Sequence, residues 1–276
     1  MAWGTIVHSR FEDAAPGSVR AGRRAVRPGV LLVAGLTLLY AALTVAVLTR
    51  SPLVELDTAA LRWSMSAHDP ALYSFLWDWV LLGQRAVVLA VAVTWFGIRA
   101  VRHRDAHPLI MLTVATLLLN VSVGVAKTVI GRLGPLQLGA SALHPGAAAI
   151  FTDGTIFPSG HTANAVVTWG LLALLARRRR RIWAVAAVFL AGTVGLSTIY
   201  LGTHWVSDVL AGWVAGALVL LAMPALAPLA GRLEQLLVRL LPLLRRRPGA
   251  VLGAAARMPS WIPSRPSVPA RSAPGA

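Results

Sequence analysis

Long stretches with at most one charged side chain recur along this sequence, and they constrain its fold more than any other feature. The first covers about residues 28–49, and a helix that crosses a bilayer needs roughly 20 mostly apolar residues. Further stretches of this kind lie at about residues 80–98, 108–126, 161–176, 182–200 and 205–229. The sequence therefore predicts an all-α, polytopic membrane protein with a bundle of six transmembrane helices.

Composition excludes the main alternatives to a membrane protein. Residues of the apolar class make up 57% of the chain and charged residues only 13%, whereas soluble domains carry about 25% charged residues and disordered chains are poor in apolar residues. A cleavable signal peptide is the alternative for the first stretch, but that stretch is longer than the 7–15 apolar residues of a signal peptide, so we expect it to be retained. The lack of cysteine excludes disulfides, cysteine-ligated zinc and thiol catalysis.

Basic side chains are distributed unevenly between the two predicted sides of the membrane. The 26 basic and 10 acidic residues give a formal net charge of +16. Most arginines precede the first span, lie near residue 102, or belong to segments 177–181 and 232–247, which a six-span layout puts on one side. Cytoplasmic loops are enriched in Lys and Arg. The protein is therefore predicted to lie in the cell membrane with both termini on the cytoplasmic side. Since this layout accounts for the positive charge, nucleic acid is not an expected partner.

This layout predicts four regions. Residues 1–27 form a basic cytoplasmic N-terminus, and residues 28–230 form the six-span membrane domain. Residues 231–247 form a basic amphipathic segment that is expected to lie on anionic lipids at the cytoplasmic surface. Residues 248–276, rich in Pro, Ser and Ala, are predicted to be a disordered cytoplasmic tail.

The first polar cluster on the opposite, external side begins at Lys127, the one lysine in the chain, and continues to Arg132. Polar groups are costly in a membrane and therefore need a reason. An ammonium can hold an anion, and a guanidinium supplies a forked donor for phosphate oxygens. The alternative for Lys127 is a lysine that reaches the membrane interface without any further role.

The second cluster is Phe-Pro-Ser-Gly-His-Thr at 157–162, where the fourth span begins. Proline and glycine break a helix there, and the resulting free backbone N–H groups and the positive end of the helix suit an oxyanion or phosphate. Ser159 adds a hydroxyl, and His161 can exchange a proton near neutral pH. A helix-start turn in which Ser159 is only a capping residue is the alternative.

The third cluster contains His204 and Asp208, which share one face of a helix because they are four residues apart. A carboxylate aimed at an imidazole selects the tautomer and makes the other ring nitrogen a better nucleophile or base. The alternative is a His–Asp pair with a purely structural role.

The three clusters, in this order and on one predicted face of the membrane, resemble the PAP2 superfamily of membrane lipid phosphatases. The family pattern is K-x6-R-P, then P-S-G-H, then S-R-x5-H-x3-D. Lys127 and Pro135 have the spacing of the first motif, 158–161 complete the second, and Ser197, His204 and Asp208 have the spacing of the third. The resemblance covers about residues 55–230 and implies a six-helix bundle of PAP2 type.

The resemblance also implies roles for these residues. His204 would be the nucleophile that forms a phosphohistidine, Asp208 would orient it, and His161 would be the general acid for the leaving group. Lys127, Ser159 and the Gly160 N–H would hold phosphate oxygens. The implied enzyme needs no metal and no other cofactor.

Both arginines of the family motifs are replaced in this chain. Gly134 stands at the arginine position of the first motif, and Thr198 stands at that of the third. Each Arg–phosphate contact is worth on the order of 1.5–3 kcal/mol, so the two losses could cost roughly 100-fold or more in rate. We hypothesise that Arg132, two residues before Gly134, reaches the phosphate instead.

The predicted function is hydrolysis of a lipid phosphate or diphosphate at the extracytoplasmic face, with a membrane lipid as substrate. Candidate substrates are polyprenyl diphosphate, phosphatidic acid and phosphatidylglycerol phosphate. Two alternatives remain open. The missing arginines favour a weak or inactive relative that binds or moves anionic lipids, and a buried His–Asp pair is also found in proton-coupled transporters.

Overall fold

Helices form nearly all of the regular structure. The computed structural model describes residues 28–144, 149–176 and 178–240. These ranges contain nine α-helices and two 3₁₀ turns and no strand, in agreement with the predicted all-α class. The helices are α1 (Pro28–Leu48), α2 (Pro52–Ser66), α3 (Pro70–Trp79), α4 (Arg85–His103), α5 (His107–Ile130), α6 (Pro135–Leu138), α7 (Gly160–Leu174), α8 (Arg180–Tyr200) and α9 (Val206–Leu240); the 3₁₀ turns are Val80–Gly83 and Gly139–Leu143.

Five of the described helices, α1, α4, α5, α8 and α9, are long and apolar enough to cross a membrane. The fourth predicted span, at about 161–176, is the 15-residue helix α7. At 1.5 Å per residue α7 is about 22 Å long, whereas the hydrocarbon core of a bilayer is about 30 Å thick. The membrane bundle is therefore present as predicted, but the count of six full spans is not established.

Apolar side chains cover much of the outer surface of the bundle. Leu38 on α1 is 71% exposed, and Val188 on α8 is 74% exposed. Water-soluble proteins rarely expose large continuous apolar patches. These side chains are in the positions that lipid chains would cover in a bilayer.

The short helix α7 lies at the centre of the bundle, where it packs against α4, α5, α8 and α9. Its Leu171 is fully buried in a core shared with Phe96 of α4, Met111 of α5 and Met223 of α9. This burial on all sides holds the start of α7 in place relative to the ends of its neighbours.

Capping side chains explain where several helices begin. Ser51 precedes Pro52 and accepts a hydrogen bond from the Leu53 amide, and Asp69 precedes Pro70 and accepts from Leu72 at 2.8 Å. Proline is suited to the first turn of a helix, because the amide that it lacks has no partner there. These caps define the starts of the short helices α2 and α3. Both helices lie at the end of the bundle where α4, α7 and α9 begin.

The C-terminal helix α9 continues without a break from Val206 to Leu240. The domain boundary predicted after residue 230 falls inside this helix. The predicted N-terminus at 1–27 and the tail at 248–276 lie outside the described residues, as does the end of the amphipathic segment after 240.

Candidate active site

A polar pocket of about 440 Å³ lies at the end of the bundle where α4, α7 and α9 begin and α5 ends. It contains four of the seven predicted site residues, Lys127, Gly160, His161 and His204. The other lining residues are Gly83, Gln84, Arg85, Ile156 and Asn164. We call this cavity the polar pocket, and it brings together chemistry-bearing residues from all three sequence clusters.

His204 lies just before α9, and its Nδ1 is directed at the Asp208 carboxylate. The distance from Nδ1 to Oδ2 of Asp208 is 3.5 Å, which is longer than a normal hydrogen bond. Nδ1 has no hydrogen-bond partner among the described residues. Since Nδ1 is turned to the carboxylate, Nε2 is the ring nitrogen that remains for a substrate.

His161 is the second imidazole in the polar pocket. The centroids of the His161 and His204 rings are 5.9 Å apart, and the rings are nearly perpendicular. His161 lies in the first turn of α7, while His204 precedes α9, so two different helix ends present the two rings. The two rings thus lie edge to face beside each other and both line the polar pocket.

The backbone around Ser159 connects the start of α7 to α9. The Ser159 amide donates to the Asp208 carbonyl at 2.9 Å, and the Ser159 hydroxyl accepts hydrogen bonds from the amide and hydroxyl of Thr162. Ser159 is fully buried and does not line the polar pocket. The capping role is therefore observed, and its contact with phosphate stays a prediction.

Lys127 approaches the start of α7 from the last turn of α5. Its Nζ donates a hydrogen bond to the Thr155 carbonyl. A Cβ placed on Gly160 would lie 3.7 Å from Cε of Lys127, so the lysine stem runs along the N-terminal end of α7. The ammonium is thus held beside the two histidines at the positive end of a helix.

Arg132 does not line the polar pocket, which corrects the hypothesis that it reaches the phosphate. It is fully buried. Its Nη1 donates to Asp208 Oδ1 and to the Ser207 hydroxyl, each at 2.7 Å, and its Nη2 donates to Asp57 Oδ2 at 2.7 Å. A guanidinium is attracted more strongly to two buried carboxylates than to a site beyond them. Arg132 therefore binds Oδ1 of Asp208, while Oδ2 faces His204.

Two of the residues that bind Arg132, Asp57 and Ser207, were not predicted as site residues. Asp57 on α2 accepts hydrogen bonds from the Ser207 amide at 2.8 Å and from its hydroxyl at 2.6 Å. We call Asp57, Arg132, Ser207 and Asp208 the Arg132 network. Burial raises the pKa of the Asp57 carboxyl above its usual value, and Arg132 and Ser207 oppose that shift.

The loop after α5 has the shape that turns Arg132 inward. Gly131 has a left-handed backbone with φ of 54°, and a Cβ there would lie 2.2 Å from the Thr152 carbonyl oxygen. The Thr152 amide donates to the Gly131 carbonyl at 2.9 Å. Only glycine allows this turn and this close approach together.

The two residues that replace the motif arginines, Thr198 and Gly134, each make a hydrogen bond to a residue nearby in the chain. Thr198 is fully buried on α8, and its hydroxyl donates to the Gly195 carbonyl at 2.7 Å. Gly134 precedes the short helix α6, and its amide donates to the Gln137 side chain at 2.9 Å. Neither residue lines the polar pocket.

Within the described ranges, no group of three or more His, Asp or Glu side chains converges as a metal-binding set would. The expectation of a metal-free reaction stays a prediction, which a chelator can test.

Residues 108–232 match the model of the PAP2 superfamily. Phosphatidylglycerophosphatase B of Bacillus subtilis is 37% identical over 71 residues, which are 23% of this chain and 34% of that protein. An undecaprenyl-diphosphatase of Sulfolobus acidocaldarius is 36% identical over 61 residues, or 22% of this chain and 28% of that protein. The chain thus spans only about a third of the length of the curated relatives that it matches.

The fold is also similar to that of a solved structure. The crystal structure of a transmembrane PAP2-type phosphatidylglycerolphosphate phosphatase from Bacillus subtilis superposes with a TM-score of 0.60. The match covers 70% of this chain and 94% of the other at 24% identity, so it bears on the fold alone. Residues 108–232 are thus similar in sequence to the PAP2 superfamily, and the fold of the chain is similar to that of a transmembrane PAP2-type phosphatase.

Proposed function

We propose that the protein is an integral-membrane phosphatase that hydrolyses a lipid phosphate or diphosphate at the extracytoplasmic face, without a metal. The observation that carries this proposal is the polar pocket, in which Lys127, His161 and His204 lie together at the start of a buried helix. The named relatives, a phosphatidylglycerophosphatase and an undecaprenyl-diphosphatase, support a substrate of this class.

The first step of the proposed reaction transfers the phosphoryl group to the enzyme. Nε2 of His204 attacks phosphorus and forms an N–P bond, while the bond from phosphorus to the lipid oxygen breaks. Protonated His161 gives its proton to that leaving oxygen, so the lipid product departs as a neutral hydroxyl or as a lipid monophosphate. Asp208 stabilises the positive charge that develops on the His204 ring.

The second step releases phosphate. A water molecule attacks phosphorus and the N–P bond breaks, while His161 takes one proton from that water. His204 then returns to its free form, and inorganic phosphate leaves. Lys127 and the amides at the start of α7 are the groups that stabilise the negative charge of the phosphoryl oxygens.

The test of this proposal is phosphate release by the purified full chain from polyprenyl diphosphate, phosphatidic acid and phosphatidylglycerol phosphate in detergent micelles. We expect His204→Ala to lower the rate by a factor on the order of 10³ or more, because it removes the nucleophile. His68→Ala is the matched control, since His68 is exposed and outside the polar pocket. Equal release by wild type and His204→Ala, or loss of activity with a chelator, would contradict the mechanism.

A second candidate function is a non-catalytic protein that binds anionic lipids. The replacement of both motif arginines by Gly134 and Thr198 is the observation that favours it. Such a protein would bind the lipids of the same panel and release no phosphate from any of them.

A further inference from the structure

Arg85 is an exposed arginine that lines the polar pocket together with Lys127, His161 and His204. An arginine near the start of a span can also reach the membrane interface without any further role. In the structure it is the first residue of α4, at the same end of the bundle as the two histidines. Arg132 is engaged by the carboxylates of Asp57 and Asp208. Among the described arginines, Arg85 is therefore the one that faces the pocket.

The surroundings of Arg85 do not supply a structural reason for its charge. No hydrogen bond or ion pair joins Arg85 to another residue of the described ranges. A cation in the first turn of a helix is opposed by the helix dipole, which favours anions there. Its charge also interacts unfavourably with Lys127 across the pocket. An anion between the two cations would relieve this repulsion and be attracted by both.

The turn before Arg85 is tightly packed, so the position of this residue is defined. Gly83 touches the backbone of His161: a Cβ on Gly83 would lie 2.7 Å from the His161 carbonyl oxygen and 2.5 Å from Cγ1 of Val194. The Trp169 indole donates a hydrogen bond to the Leu82 carbonyl at 2.8 Å. The start of α4 is therefore attached to α7 at the residue that carries the second imidazole.

We propose that Arg85 is a phosphate-binding residue, whose guanidinium holds non-bridging phosphate oxygens together with the Lys127 ammonium. This inference rests on the proposed phosphatase function and adds to it the guanidinium that Gly134, Thr198 and the buried Arg132 do not provide. A guanidinium offers paired donors that match two oxygens of one phosphate. The ligand is the phosphate or diphosphate group of the lipid, and free inorganic phosphate has the same chemistry.

The test compares Arg85→Gln and Arg85→Lys with the wild type in the full chain. We expect Arg85→Gln to lower kcat/KM for a lipid phosphate roughly 10- to 100-fold and to raise the inhibition constant of inorganic phosphate. Arg85→Lys keeps the charge without the fork and should fall between the two. Arg62→Gln is the matched control, because Arg62 is an exposed arginine near the same end of the bundle and outside the polar pocket.

The outcomes separate this inference from the function on which it rests. An unchanged kcat/KM and inhibition constant in Arg85→Gln, with an active wild type, would overturn the role of Arg85 and leave the phosphatase intact. A wild type that releases no phosphate would overturn the function, and calorimetric titration with inorganic phosphate would then decide on Arg85 alone. Equal phosphate affinity in wild type and Arg85→Gln would refute phosphate binding by Arg85. Melting temperatures measured for all variants exclude unfolding as the cause of any loss.

Discussion

At the scale of single residues, one guanidinium serves two buried carboxylates in the Arg132 network. Arg132 lies 2.7 Å from Asp57 and 2.7 Å from Asp208, and the side chains of all three residues are inaccessible to solvent. Asp208 also accepts a hydrogen bond from the Trp205 amide at 3.0 Å. The carboxylate that faces His204 is thereby oriented from two sides, and α2 is connected to the start of α9.

Replacing Arg132 removes the only positive charge that these two carboxylates contact in the described part of the chain. We expect Arg132→Gln to destabilise the protein by about 3–5 kcal/mol, as is typical when one member of a buried ion pair is removed. Asp57→Asn should cost less, because Arg132 keeps Asp208 as its partner. The measurement is thermal unfolding in detergent.

The double variant Arg132→Gln with Asp57→Asn is the decisive control for this prediction. It removes one uncompensated carboxylate along with the guanidinium, so it should be more stable than Arg132→Gln alone. Additive losses would show that the two side chains are not coupled. A wild-type melting temperature for Arg132→Gln would contradict the network altogether.

At the scale of elements, the site is assembled from helix ends. Lys127 comes from the last turn of α5, His161 from the first turn of α7, and His204 from the turn before α9. Arg85 comes from the start of α4, behind the 3₁₀ turn Val80–Gly83. Close packing at that turn fixes the backbone from which the Arg85 side chain extends.

Gly83→Ala should therefore lower phosphatase activity by displacing Arg85. The added methyl would meet Val194 and the His161 carbonyl oxygen at distances that real Cβ atoms do not show, so the turn must move away from α7. Gly97→Ala is the matched control within α4, because nothing lies within 4 Å of a Cβ there and alanine favours the helix by about 1 kcal/mol. We expect lower kcat/KM for Gly83→Ala and wild-type activity for Gly97→Ala. Equal activity of the two variants would show that activity does not depend on how this turn places Arg85.

Motif spacing predicted which helix ends meet, because the positions of the histidines and Lys127 relative to apolar stretches are local properties of the sequence. The partners of Arg132 could not be predicted in this way. Asp57 is separated from Arg132 by 75 positions, and an arginine next to a vacant motif position suits a phosphate as well as a carboxylate. Arg85 was equally ambiguous, since an arginine near the start of a span also suits the membrane interface.

At the scale of the whole molecule, the helices run back and forth so that one end carries the polar-pocket side chains of Arg85, Lys127, His161 and His204. The opposite end carries Arg102 and His103 at the end of α4, and Arg178 before α8. This separation agrees with the uneven distribution of basic residues from which a cytoplasmic location of that end is predicted. The polar pocket would then open toward the extracytoplasmic face, at the level of the outer lipid headgroups.

The absence of cysteine from the chain makes this orientation directly testable, because a single introduced cysteine is the only thiol in the protein. Ser66→Cys places a thiol at an exposed position at the end of α2, on the side of the polar pocket, and His103→Cys places one at the exposed end of α4. A membrane-impermeant maleimide added to intact cells should label the first variant and should label the second only after the membrane is opened. The reverse pattern would put the polar pocket in the cytoplasm, where the substrate would have to be a lipid phosphate of the inner leaflet.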